Sequence, residues 1–155
     1  MKDVHWKDIS GYNWMLLEPY TRQVAIRCSH PVYLEHGKAM MTTNGELSFV
    51  PGFVWDGASG PTVDTDNAMM PSMVHDFFYR VLKTGLFDQC QFFYDIDGPR
   101  MTRADLREYA DQLFWEMLIQ EGMHPARATV WWLAVRASPW AAWRSWPWRK
   151  LNKWM

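Results

Sequence analysis

Apolar and polar residues follow different patterns in the two halves of the chain. In residues 1–56, short runs rich in β-branched and aromatic side chains are separated by turn-forming residues, which predicts strands. Asn44-Gly45 lies between two such runs and predicts a hairpin, because these residues supply the two positive-φ positions of a tight turn. The predicted strands are Val24–Cys28, Pro31–Leu34, Met40–Thr43, Glu46–Phe49 and Phe53–Trp55.

The second half of the chain has the spacing of helices. Apolar residues from Leu106 to Leu118 recur at three- and four-residue intervals. Thr102 is the predicted N-cap of this helix, with Asp105 in its first turn. The predicted helices run from about residue 67 or 71 to 83, from 103 to 121 and from 125 to 137. The fold class is therefore α+β: amino-terminal short strands and a hairpin, then two antiparallel core helices and a third helix, in a single domain over residues 1–137.

Length and cysteine content narrow the class further. A chain of 155 residues fits one domain that buries a core without disulfides. Cys28 and Cys90 form no disulfide framework and no zinc-ligand spacing, so we expect a reducing compartment. The amino terminus does not have the pattern of a signal peptide, and no apolar run is long enough to span a bilayer.

The carboxy-terminal residues 138–155 predict a basic tail rich in tryptophan. From Gly122 to Met155 there are six Lys or Arg and no acidic residue, and five of the 11 tryptophans lie in the last 16 residues. Such a tail suits an anionic interface, for example a lipid or membrane surface, unless the tryptophans fold back onto the domain. Nucleic-acid binding is not expected, because the rest of the chain carries a charge of −7.

The first long predicted helix contains three polar side chains in an apolar run, His75-Asp76-x-x-Tyr79. On a helix His75 and Tyr79 share a face, while Asp76 is rotated from His75 by about 100°. Burying such groups costs several kcal/mol unless each is hydrogen-bonded. Asp111 lies at the edge of the apolar face of the next helix, and antiparallel packing would bring it to His75. An Asp–His pair of this kind can serve a general base, or it can only rigidify two helices.

The motifs together resemble a family of small phage and prophage proteins of unknown function. The resemblance rests on 52–61 (Gly-Phe-Val-Trp-Asp-Gly-Ala-Ser-Gly-Pro), His75-Asp76-x-x-Tyr79, Ala110-Asp111-x-x-Phe114 and Ala134-Val135-Arg136. It implies a bacteriophage source, a place in the host cytoplasm or in the virion, and possible contacts with other virion proteins. It implies no activity.

The same motifs are also similar to phospholipases of the sn-2-cleaving type, especially the disulfide-free form found in viral capsids. In those enzymes a glycine-rich calcium loop precedes an HDxxY helix, and a later helix supplies an aspartate. Here Gly57 lies 18 residues before His75. The resemblance implies that His75 activates water, while Asp111 and Tyr79 hold the imidazole of His75 in place. It implies a calcium site formed by Asp76 with the loop residues Asp56, Gly57 and Ser59, and calcium accepts such oxygen ligands.

Three functions remain open from the sequence. The first is calcium-assisted hydrolysis of a lipid ester at the His–Asp site. The second is a virion or tail-associated structural protein in which the same network stabilises the fold. The third is another metal-dependent hydrolase, which is disfavoured because His30, His36 and His124 lie in predicted turns or at a helix junction rather than near His75.

Overall fold

The helices and strands form an α+β fold, as the sequence predicts. The computed structural model describes residues 6–8, 14–55, 66–95 and 97–137. The strands are β1 (Trp6–Asp8), β2 (Trp14–Leu16), β3 (Tyr20–Gln23), β4 (Arg27–Cys28), β5 (Val32–Leu34), β6 (Ala39–Met41), β7 (Glu46–Phe49), β8 (Val54–Trp55) and β9 (Phe92–Phe93). The helices are α1 (Asp66–Lys83), α2 (Leu86–Gln89), α3 (Arg103–Gln120) and α4 (Pro125–Ala137).

The described strands pair in three small antiparallel sheets. One has the order β3-β7-β6-β5, one has the order β1-β2-β8, and β4 pairs with β9. The predicted hairpin is present, with Met41 opposite Leu47. Its turn differs from the predicted one, because only Gly45 has positive φ and its N–H bonds to the carbonyl of Thr42 over 3.0 Å. This is a type I turn followed by a left-handed glycine, the arrangement of a longer hairpin loop.

The run Val24–Cys28, predicted as one strand, is interrupted in the structure. β3 ends at Gln23 and β4 begins at Arg27. Between them, the backbone N–H of Ala25 donates to the hydroxyl of Tyr109 on α3, over 3.1 Å. Val24 and Ile26 remain buried, so the run keeps its apolar role although a side chain of α3 replaces part of the strand pairing.

The two long helices pack antiparallel. Tyr79 of α1 bonds to Asp111 of α3, while further along α1 the carbonyl of Leu82 accepts a bond from Arg103 at the start of α3. Thr102 and Asp105 form the predicted capping box. The prediction missed two elements in the connection between the helices, α2 and β9, which form because Phe87 and Phe92 are buried and stacked with ring centroids 5.7 Å apart.

The core has two parts, and α1 contributes to both. The larger part lies between the sheets and α1, where the ring of Phe49 is 5.1 Å from that of Phe53 and 5.9 Å from that of Phe77. The smaller part joins α4 to α3 and to the start of α1 through Ala68, Phe114, Leu118, Met123, Ala128 and Trp131. Within the described residues no helix is long and apolar enough to cross a bilayer.

Candidate functional site

His75 and Asp111 are brought together by the packing of α1 on α3. The Nε2 of His75 lies 2.7 Å from the Oδ1 of Asp111. Asp111 is fully buried, while 11% of the His75 side chain is exposed. If Nε2 carries the proton that is donated to Asp111, Nδ1 is the unprotonated ring nitrogen. No described residue hydrogen-bonds to this Nδ1. It can therefore act as a base, and the bond between Nε2 and Asp111 fixes the orientation of the ring.

Tyr79 lies one helical turn after His75 and donates its hydroxyl to the same carboxylate oxygen, Oδ1 of Asp111. The rings of His75 and Tyr79 are 4.0 Å apart, and the ring of Phe114 lies 5.0 Å from His75 on the α3 side. These rings limit the rotation of the imidazole. The three predicted catalytic residues therefore lie in one hydrogen-bonded group, although their catalytic roles remain predictions.

Arg136 is a fourth member of this group. It comes from the last turn of α4, and its Nη1 donates to Oδ2 of Asp111 over 2.9 Å. The carboxylate thus receives bonds on both oxygens, from α1 and from α4. In the sequence Arg136 occurs in a motif of the family resemblance, but nothing in its spacing connects it to Asp111, because that contact depends on how α4 packs.

These bonds keep Asp111 ionised and Tyr79 neutral. Burial raises the pKa of the Asp111 carboxyl, but hydrogen bonds from His75, Tyr79 and Arg136 outweigh it, so the pKa lies below its ordinary value. Burial, together with the Asp111 charge, raises the pKa of the Tyr79 hydroxyl far above its ordinary value. Tyr79 therefore acts as a hydrogen-bond donor to Asp111 and not as a proton acceptor.

Asp76 belongs to a different group, on the neighbouring face of α1. Its Oδ2 lies 2.8 Å from Nη2 of Arg80, one turn later. Arg80 is almost fully buried and also bonds to the carboxylate of Glu35 and, over 2.7 Å, to the carbonyl of Val54. Its guanidinium lies 4.9 Å from the ring centroid of Phe53. Sequence reasoning assigned no role to Arg80 or Glu35, since an arginine within an apolar helix gives no indication of its partners.

The turn that carries Glu35 has an unusual backbone. Glu35 and His36 have φ values of 50° and 57°, and Gly37 follows with 84°. Positive φ is uncommon for residues other than glycine and costs of order 1 kcal/mol or more at each. The bond from buried Arg80 to Glu35 offsets this cost, so the turn between β5 and β6 is fixed in its conformation by α1.

The described residues supply only part of the predicted calcium site. One Asp76 oxygen is bound by Arg80, which leaves Oδ1 as a ligand. The other predicted ligands, Asp56, Gly57 and Ser59, lie outside the described residues. Within the described part of the chain, no three His, Cys, Asp or Glu side chains are grouped to hold a metal ion. Calcium takes six to eight oxygens, so the described residues alone do not form its site, and the calcium assignment stays a prediction.

The fold and the site define the protein as an α+β domain in which one buried aspartate is shared by a histidine, a tyrosine and an arginine from two neighbouring helices. The chain belongs to the family described as "Protein of unknown function (DUF1353)", whose model matches residues 34–135. That range contains His75, Tyr79, Asp111, Arg80 and Glu35, and it ends one residue before Arg136. No curated protein and no solved structure matches the chain.

Proposed function

We propose that the protein is a hydrolase of lipid esters in which His75 is the general base. The observation that carries the proposal is the 2.7 Å contact between Nε2 of His75 and the buried Asp111, which leaves Nδ1 as the proton acceptor. An aspartate on one imidazole nitrogen fixes the tautomer and raises the basicity of the other nitrogen. Tyr79 and Arg136 hold the aspartate in place. All four residues then serve one task, which is to support His75 as the general base.

In the proposed reaction, a water molecule lies at Nδ1 of His75 and attacks the ester carbonyl carbon. The imidazole takes a proton from the water as the new C–O bond forms. Asp111 stabilises the resulting imidazolium by the hydrogen bond at Nε2. The proton then passes to the oxygen of the leaving alcohol as the C–O bond of the ester breaks, and the imidazole returns to its neutral form. General bases of this kind contribute typically about 10²–10⁴-fold in rate.

The proposal includes calcium as an assisting cation. Bound calcium would polarise the ester carbonyl and stabilise the oxyanion. Asp76 Oδ1, with oxygens of Asp56, Gly57 and Ser59, would hold the ion. Arg80 fixes Asp76 by its bond to Oδ2, so Oδ1 is the oxygen that would bind the ion. The calcium assignment can be tested separately from the role of His75 as general base, because chelation of calcium leaves the His75–Asp111 contact unchanged.

A structural role is the second candidate, and the complete burial of Asp111 favours it. A carboxylate that receives donors from α1 and α4 ties three helices together, which is useful in a virion or tail-associated protein that does no chemistry. In that case the group contributes stability alone, and changing His75 alters the melting temperature without loss of any reaction.

The decisive experiment compares wild-type protein with His75→Asn in release of fatty acid from phospholipid vesicles containing calcium. We expect a loss of about 10²-fold or more in rate. His30→Asn is the matched control, because His30 is an exposed histidine distant in sequence from the group, and it should keep full activity. Equal rates for wild-type and His75→Asn, or no hydrolysis by wild-type protein, would exclude the proposed base.

A chelation series tests the calcium part. Removing calcium should abolish release of fatty acid, and adding it back should restore the rate. Asp76→Asn should raise the calcium concentration needed for half-maximal rate. If the rate is the same in excess chelator, the calcium assignment is wrong while the assignment of His75 stands.

A further inference from the structure

Helix α4 is apolar on nearly all sides but is covered on only one. Nine of its 13 residues are apolar, and only Ala128 and Trp131 are buried. Val130 and Leu133 are each 53% exposed, although they are among the largest apolar side chains of the helix. A helix that is hydrophobic all round is normally enclosed by protein or lipid. The described part of the chain does not enclose α4.

The exposed apolar residues of α4 form a single stripe. Ala126, Val130, Leu133 and Ala137 follow one another at spacings of four, three and four residues, which places them on one face of a helix. We call these four residues the α4 outer face. Trp131 and Ala128 lie on the other side and pack against Phe114 and Leu118 of α3. The fold thus uses one face of α4 and leaves the outer face to solvent.

Charge indicates what covers the outer face. Arg127 is exposed beside it, Arg136 is one-third exposed at its end, and no acidic residue occurs from Gly122 to Met155. The chain that follows α4 adds four more cations in 18 residues. An apolar stripe flanked by arginines and continued by cations complements a bilayer with anionic headgroups. It is less suited to an ordinary protein partner, since an acid-free surface favours only acidic partners.

We propose that the α4 outer face docks on an anionic lipid surface, with α4 lying in the plane of the interface. Val130 and Leu133 enter the boundary between headgroups and acyl chains, while Arg127 contacts the headgroups. A helix of 13 residues is too short to cross the bilayer and suits this orientation. The inference rests on the proposed function, because docking on lipid would supply a lipid ester to His75.

Docking through this face brings the membrane close to the candidate site. Trp131 on the inner side of α4 lies 6.3 Å from Phe114, measured between ring centroids, and Phe114 lies 5.0 Å from His75. Arg136 ends the helix with a bond to Asp111. One helix, α4, and the ring of Phe114 therefore lie between the bilayer and His75.

The test measures binding of the full chain to vesicles by co-sedimentation. Vesicles of phosphatidylcholine with phosphatidylglycerol are compared with phosphatidylcholine alone. Wild-type protein should bind the anionic vesicles preferentially, and added salt should weaken the binding. The variant Val130→Asp/Leu133→Asp should lose at least ~10-fold in partition, because two side chains leave the apolar layer and two negative charges enter the interface.

The matched control is Leu17→Asp/Val50→Asp. Leu17 and Val50 are 43% and 42% exposed and lie in the strand half of the molecule, so this variant should bind vesicles as wild-type protein does. Absence of wild-type binding, or equal loss in both double variants, would overturn the inference. Undiminished binding by the α4 variant would also overturn it. A dimer in sedimentation velocity that the α4 variant alone dissociates, with vesicle binding unchanged, would show instead a contact between two copies.

Failure of this inference and failure of the proposed function give different results. His75→Asn should bind vesicles normally, whether or not the protein is a hydrolase. Val130→Asp/Leu133→Asp should hydrolyse a monomeric short-chain ester at the wild-type rate but release less fatty acid from vesicles. Binding without hydrolysis by wild-type protein refutes the hydrolase and leaves the docking surface intact.

Discussion

Two polar groups lie on neighbouring faces of helix α1, and they are built with opposite charges at the centre. In one, the buried anion Asp111 receives donors from His75, Tyr79 and Arg136. In the other, the buried cation Arg80 donates to Glu35, Asp76 and the carbonyl of Val54. Adjacent residues, His75 and Asp76, each belong to a different group.

The difference between the groups concerns the unused atoms. In the second group both Nη atoms of Arg80 bond to protein groups and tie the β5–β6 turn to α1, while its buried Nε has no hydrogen-bond partner among the described residues. The first group leaves the Nδ1 of His75 without a bond to any described residue. The unused nitrogen of Arg80 is buried, whereas the side chain of His75 is partly exposed, so we propose chemistry for the Asp111 group and a structural role for Arg80 and Glu35.

The largest expected effect on stability comes from Arg80→Met. Removing the cation leaves Glu35 and Asp76 without their partner, and loss of one member of a buried pair costs about 3–5 kcal/mol. Arg103→Met is the matched control, because Arg103 also pairs with a carboxylate, bonds to a backbone carbonyl and lies over a phenylalanine ring. That pair is exposed and should contribute at most about 1 kcal/mol. Urea unfolding measures both, and equal losses would contradict the structural assignment.

Asp111→Asn should follow, with a loss of about 2–3 kcal/mol in the free energy of unfolding, since charge-assisted bonds contribute about 1.5–3 kcal/mol. The side chain of the introduced asparagine carries an NH₂ group in place of one carboxylate oxygen, and this donor faces the other donors of the group. It should also remove most of the hydrolytic rate, because the imidazole loses its alignment. Asp88→Asn, at an exposed carboxylate, should change neither quantity by much. An active Asp111→Asn protein would separate Asp111 from the proposed chemistry.

The stability difference between wild-type protein and Asp111→Asn should depend on pH. The pKa of Asp111 is lower in the folded state than its ordinary value. Its stabilising effect is therefore fully present above the unfolded pKa, about 3.9, and is lost as pH falls through the folded pKa. Unfolding curves at a series of pH values should show a constant difference near neutrality that shrinks below about pH 4. A difference that grows on acidification would contradict the sign of this shift.

Arg136→Gln should have the smallest effect. One-third of the Arg136 side chain is exposed, so solvent screening limits its contribution to about 1 kcal/mol or less. Glutamine can still donate to Asp111, and we expect the folded structure and most of the activity to remain. Arg127→Gln, an exposed position on the same helix, is the reference for loss of charge alone. A larger loss than that of Asp111→Asn would mean that α4 and not α1 holds the aspartate.

The sequence predicted those parts of the molecule that depend on local pattern. The three long helices, the capping box at Thr102 and the hairpin around Gly45 follow from spacing, turn residues and caps, and the structure confirms them. It also predicted the contact of His75 with Asp111, because both lie on apolar faces that antiparallel helices bring together. The same argument could not predict the contacts of Arg136, Arg80 or Glu35, because their partners are 25 to 45 residues away in the chain.

Short elements were missed for the same physical reason. β9 has two residues and exists only because Phe92 meets Cys28 in three dimensions. The bond from Ala25 to Tyr109 interrupts a run that has the composition of one strand. The predicted calcium loop, the tail 138–155 and the domain boundary at residue 137 lie outside the described residues or at their edge, and they stay predictions.

The most direct measurement of the central claim sets activity against stability in one variant. Wild-type protein and His75→Asn are assayed for release of fatty acid from anionic vesicles, and the melting temperature of each is recorded. We predict a rate lower by about 10²-fold or more with a melting temperature lower by only a few degrees, about the loss of one hydrogen bond. An unchanged rate accompanied by a lower melting temperature would contradict the claim and leave His75 as a structural residue.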